Sequence, residues 1–185
     1  MLAISVTVDE RSFKEAAHIL RAVPRAVPRV FRRAIGRTVD MAATDLKRRV
    51  GAQITAKKSE IAKGISKTKT TFYGSIGTKA FRPGLVAFPG TKQTKHGVSY
   101  RIIRTAGRRT LEHGFIATMP SGHRGVFIRG AESRLPIREA RGPSIWKVIT
   151  DTAGLLKACI DAAGDRLGKL INDQIGVEFR RWQKQ

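Results

Sequence analysis

The chain has 185 residues, with 36 Lys and Arg against 14 Asp and Glu, giving a formal charge of +22 and a pI near 11.4. That length fits one ordinary domain, or one domain with a helical arm. Hydrophobic residues at 41% can fill a core, and aromatics at 6% make it an aliphatic one. A charge so large argues against a soluble small-molecule enzyme. It favours a polyanion, whether nucleic acid, acidic protein or anionic membrane; the other reading is a basic protein neutralised inside an assembly.

In chain order, "AISVTV" alternates and is β-branched, which predicts a strand over Ala3–Val8. "ERSFKEAAHILRAV" follows as a first helix, capped by Asp9 or Ser12, with Glu15 at capping-box spacing from Ser12. Its apolar face is Phe13, Ala16, Ala17, Ile19 and Leu20. Pro24 and Pro28 bend the chain. A second, longer helix then runs from about Pro28 to Gln53. Val30, Phe31, Ile35, Val39, Ala42, Ala43, Leu46 and Val50 form its stripe, and Arg29, Arg32, Arg33, Arg37, Lys47, Arg48 and Arg49 occupy much of the rest. "TAKKSEIAKGIS" predicts a short helix over Ala56–Ile65, with Thr55 as cap.

The period then changes. "KTKTTFYGSIGTKA", "GLVAF", "GVSYRIIRT", "FIATM" and "GVFIRG" read as short strands. "FRPG", "FPGTKQTKHG", "TAGRRT" and "PSGHRG" read as loops between them. The basic Pro89–Gly97 segment has no apolar anchor and is expected to be a mobile loop. After Pro143 the helical period returns, from Ser144 to about Phe179, a helix near 50 Å long at about 1.5 Å per residue. Its stripe runs from Ile145 through Leu155, Cys159 and Leu167 to Ile175, and Ser144 is placed to cap it. Cys159, the one cysteine, reads as a buried small hydrophobe. The N-terminal stretch lacks the apolar core of a secretory leader, and no apolar run reaches membrane-spanning length. Strands grouped between helices predict an α+β fold, an antiparallel sheet with N-terminal helices and a long C-terminal helix packed on it. The expected organisation is one domain over 1–185. Its segments are 1–65 (strand and helices), 66–140 (basic and strand-rich) and 141–185 (C-terminal helix).

The charge is uneven. Residues 51–110 hold thirteen Lys and Arg and only Glu60, whereas 141–185 carry eight basic and five acidic residues. The second helix and the β loops therefore face whatever the charge meets. Lys57, Lys58, Lys92, Lys95, Arg108 and Arg109 are candidates to face DNA or an acidic partner. Chemistry is sparse. His18, His96, His113 and His123 show no metal-ligand spacing, and there is no second cysteine. Glu112 beside His113 is a nuclease-like pair without the carboxylate cluster that would hold Mg²⁺. No phosphate loop, zinc finger or RNP motif is present. The expectation is a non-enzyme without cofactor or metal.

One stretch is distinctive: "LPIREARGPSIWKVI", Leu135–Ile149. Leu-Pro-Ile, a short charged link, Gly-Pro-Ser and an apolar helix start resemble a segment of the minor tail protein Z family of long-tailed bacteriophages and related tail-completion proteins. The layout is similar through most of the chain. It includes an "AI.RT" element (Ala34, Ile35, Arg37, Thr38), a basic "KKSEI" stretch, Gly-rich basic strands and a long final helix. The "KQTKHG" segment and the short helix after the basic region depart from that pattern. The resemblance implies a non-enzymatic virion protein, made in the bacterial cytoplasm and located at the head-proximal end of the tail. Such a protein completes the tail for head joining and DNA passage. Its implied partners are copies of itself in a hexameric ring and tail terminator, tail tube or head–tail connector proteins, with DNA in the channel and no membrane. Leu135, Pro136, Ile137, Gly142, Pro143, Ser144 and Ile145 form the elbow motif. Two readings of it stay open: a rigid elbow serving an interface, or an ordinary strand-to-helix connection. The alternative function is a nonspecific nucleic-acid-binding protein, whose binding weakens with salt.

Overall fold

The structure, a computed structural model, describes residues 3–6 (backbone only), 26–130 and 135–184. The predicted first helix with its caps, His18 and the end of the first strand lie outside the described residues.

The fold is α+β. In chain order it comprises β1 (Ala3–Val6), α1 (Val27–Gln53), α2 (Lys58–Lys63), β2 (Ile65–Lys69), β3 (Gly74–Thr78) and a 3-10 turn (Leu85–Ala87). Then come β4 (Lys92–Thr94), β5 (Gly97–Tyr100), β6 (Arg109–Glu112), β7 (Gly114–Thr118), β8 (Arg124–Arg129), β9 (Ile137–Glu139), α3 (Ile145–Asp151) and α4 (Leu155–Trp182). The strands make three antiparallel three-stranded sheets, ordered β1-β3-β2, β4-β5-β6 and β7-β8-β9. The chain divides into two compact units, each built from separate segments: 1–46, 65–78 and 153–185, and 47–64 with 79–152. These do not coincide with the three consecutive segments of the sequence reading.

In the first unit α1 buries Val30, Phe31, Ala34, Ile35, Val39, Ala42, Ala43 and Leu46, the stripe its spacing predicts. Pro28 sits in the first turn, where its missing N–H costs nothing. The β2–β3 hairpin closes on this stripe through Gly74. A Cβ there would stand 2.5 Å from Val39 and 2.7 Å from Ile35, so only glycine lets strand and helix approach so nearly. The α4 helix buries Leu155, Cys159, Ala163, Leu167, Ile171 and Ile175. These are successive i, i+4 positions, a narrower stripe than the sequence reading, and Ile160 is exposed. Two ion-pair sites join α4 to α1: Asp45 with Arg166, and Glu178 with Arg29 and Arg33.

In the second unit Val50, Ile54, Ile61, Leu85, Phe88, Val98, Val126, Ile145 and Ile149 are buried. Phe115 of β7 lies opposite Phe127 of β8, with ring centroids 6.0 Å apart.

Five expectations need correction. "GLVAF" contains a 3-10 turn rather than a strand, because Leu85 and Phe88, three apart, are the residues buried. The "TAGRRT" loop contains the start of β6, whose mostly exposed side chains give no alternation to read. The Pro89–Gly97 loop contains β4 and is anchored by polar groups. The Thr91 hydroxyl is hydrogen-bonded to Leu85 and Phe88 carbonyls at 2.9 and 2.8 Å, and Gln93 accepts from the Ile116 N–H at 2.9 Å. Thr55 does not cap the short helix. Its hydroxyl turns to the Arg101 and Ile102 carbonyls, and Lys57 holds the cap position without a side-chain bond. Finally, the long C-terminal helix is two helices. Thr152 Oγ1 donates back to the Val148 carbonyl at 2.8 Å, and Gly154 takes a left-handed φ of 73°, a turn that glycine enters without strain.

Candidate basic interface and elbow

The elbow residues are spread over one continuous connection in the second unit. Leu135 is 68% exposed, and Ile137 opens β9, paired with Arg129. In the charged link that follows, Arg138 and Arg141 are exposed while Glu139 is tied down. Glu139 lies between His123, whose Nε2 is 2.9 Å from its Oε1, and Arg141, whose Nε donates to Oε2 at 2.9 Å. Burial raises the Glu139 carboxyl, but the hydrogen bonds from His123 and Arg141 outweigh it and hold the group below its ordinary value. Backbone bonds then clamp the chain. Leu85 N–H donates to Ala140 O at 3.1 Å, Ala140 N–H to Val126 O at 2.8 Å and Gly142 N–H to Pro83 O at 2.7 Å. Arg82 Nε adds a bond to Gly142 O at 3.1 Å. After Pro143, Ser144 Oγ accepts from the Lys147 N–H at 3.2 Å, the predicted cap. Ile145 is fully buried. Leu135 and Pro136, which precede β9, are the exposed part of the motif.

The six predicted partner-facing cations all belong to the second unit, and all are exposed. They come from several elements, and Lys92 and Arg108 meet at Ser99. Lys57 and Lys58 start α2, Lys92 lies on β4, and Arg109 opens β6. Lys95 lines an open cleft of about 970 Å³ with His96, Glu112, His113, Phe115 and Arg129. The Arg129 guanidinium stands over the Phe115 ring, 5.3 Å from its centroid. Arg108 is committed to the fold: its Nε donates to Ser99 Oγ at 3.0 Å, and its Nη2 to the Gly90 carbonyl. Glu112 and His113 share the cleft wall. Among the described residues no three His, Cys, Asp or Glu side chains come together to hold a metal.

A second basic site lies in the first unit, on the exposed side of α1. Arg29, Arg32, Arg33, Gly36, Arg37 and Asp40 of α1, with Lys69 of β2, line a groove of about 540 Å³. Two carboxylates organise its walls. Glu178, with a side chain only 5% exposed, takes Arg33 at 3.2 Å, Arg181 at 3.0 Å and Arg29 at 3.7 Å. Asp40 takes Lys67 at 2.8 Å and Lys69 at 2.5 Å. The hydrogen bond from Lys67, then that from Lys69, holds the Asp40 carboxyl below its ordinary value. The sequence reading has the second helix face the partner of the charge but names none of its arginines among the candidate site residues. Arg29, Arg33 and Arg37 recur every four residues, the signal for one shared face. The contributions of Lys69 and Glu178 are tertiary and had no local signal.

No protein-family model, curated protein or solved structure matches the chain.

Proposed function

We propose that the chain is a structural virion protein of a long-tailed phage, acting at the head-proximal end of the tail. There it completes the tail for head joining and DNA passage, and it is not an enzyme. The observation that carries the reading is the segment "LPIREARGPSIWKVI". Its resemblance to tail-completion proteins runs through the connection from β9 to α3, where Glu139, Gly142 and Ser144 each make a fold-defining contact. An elbow fixed by backbone bonds on both sides suits a subunit that repeats around a ring, because each copy must present its edge in the same place. On this reading the partners are other copies of the chain in a hexameric ring, together with terminator, tube or connector proteins. Leu135, 68% exposed beside the edge strand β9, is available to such a neighbour. The basic faces suit a channel that every genomic sequence must traverse, since phosphate contacts carry no sequence preference. No described helix is long and apolar enough to cross a membrane.

The arginine groove favours a second reading, a protein that binds nucleic acid nonspecifically outside any particle. Immunogold labelling of purified particles separates the two. The tail reading predicts gold at the junction of head and tail; particles free of label, with the protein in the soluble fraction, would contradict it.

A further inference from the structure

Gly36 has no packing reason to be glycine. It sits inside α1, where glycine costs about 1 kcal/mol relative to alanine, and a Cβ built there meets nothing within 4 Å among the described residues. Its φ is not in the left-handed range. What the missing side chain does is leave helix backbone bare at the floor of the groove, between Arg32, Arg33, Arg37 and Asp40.

We infer that this groove seats the sugar–phosphate backbone of duplex DNA, with Gly36 as the floor that admits it. The inference deepens the DNA-passage part of the proposed function by assigning a surface to it. Five cations line the groove against two carboxylates, Asp40 in the lining and Glu178 paired with Arg29 and Arg33. Four of the five are arginines, whose planar forks match phosphate oxygens in pairs. Arg29 and Arg33 are pre-positioned by Glu178, and Lys69 by Asp40, so less side-chain freedom is lost on binding.

The lining also decides the class of partner. Among the described residues it contains no aromatic and no aliphatic side chain. An acidic protein would need an apolar anchor to bind with useful affinity, and a single strand would need aromatic faces on which bases stack. A duplex presents a continuous row of phosphates and asks for neither.

The test is fluorescence anisotropy of a short labelled duplex of mixed sequence, titrated with the full chain over a salt series. Gly36→Leu keeps the charge and favours the helix, so melting should not fall, while affinity drops by about tenfold, roughly 1.4 kcal/mol. The double variant Arg32→Ala/Arg37→Ala should flatten the slope of log K against log salt by about 0.9 for each arginine. Lys79→Ala/Lys157→Ala, equal in charge change and outside the groove, should leave the slope nearly unaltered. The inference is overturned if Gly36→Leu binds like the native chain. It is equally overturned if both double variants change the slope alike, or if polyglutamate or a single strand binds more tightly than the duplex. Such a failure removes the groove and leaves the tail reading to particle labelling. Absence of label from particles, with groove binding intact, removes the tail reading alone.

Discussion

Gly142 lies against the ring of Phe88: a Cβ at that glycine would stand 2.6 Å from the ring's Cζ. Phe88 is fully buried. The Gly-Pro of the elbow is therefore a packing requirement as well as a turn. Gly142→Ala should cost about 1–3 kcal/mol, the range for overpacking a close-packed core. Equilibrium urea unfolding measures it. A native midpoint would show that the ring yields.

The Glu139 carboxylate links the elbow to the turn before β8 through Arg141 and His123. Its acidity is raised in the fold, so its contribution is fully present above the ordinary value of 4.5. That contribution is lost as pH falls through the lower folded value. Glu139→Gln should accordingly be less stable than the native chain at neutral pH, and the two should converge in acid. Thermal melts from pH 7 down to about pH 3 follow this window. A gap that persists undiminished in acid would assign the loss to something other than charge.

Two carboxylates of the arginine groove should differ in weight. Glu178 is buried and hydrogen-bonded to Arg33 and Arg181. Asp40 has a side chain 51% exposed, so solvent screens its lysine pairs. Glu178→Gln is expected to cost about 1.5–3 kcal/mol, as for hydrogen bonds to charged groups. Asp40→Asn should cost under about 1 kcal/mol. Parallel denaturation of the two variants decides the order, and equal losses would contradict it.

Thr38 is fully buried, and its hydroxyl has no hydrogen-bond partner among the described residues. The near-isosteric Thr38→Val should therefore stabilise the chain by about 1 kcal/mol, since an unpaired buried hydroxyl costs about that much or more. A lower melting temperature would mean that the hydroxyl is bonded in solution.

Elements with a strong hydrophobic period were legible in the sequence. The spacing of Val30, Phe31, Ile35 and Val39 predicts α1 to within a residue of its ends, and short apolar runs between turn residues find β7 and β8. Ser144 reads correctly as a cap because capping is a local interaction. What stayed hidden is set by tertiary partners. β4 rests on Thr91 and Gln93 bonding distant backbone, and β6 exposes most of its side chains. The break at Gly154 competes with an apolar period that continues across it from Val148 to Leu155. Among the six cations chosen from charge density alone, Arg108 serves the fold, because density does not tell a surface cation from one folded back on the chain.

Deleting the gene from its genome, then imaging the resulting particles by negative stain and assaying infectivity, tests the tail-completion account most directly. Heads and tails that fail to join, or joined particles that cannot infect, are the expected result, with infectivity restored by the native gene supplied in trans. Normal, infectious particles in the absence of the gene would contradict it.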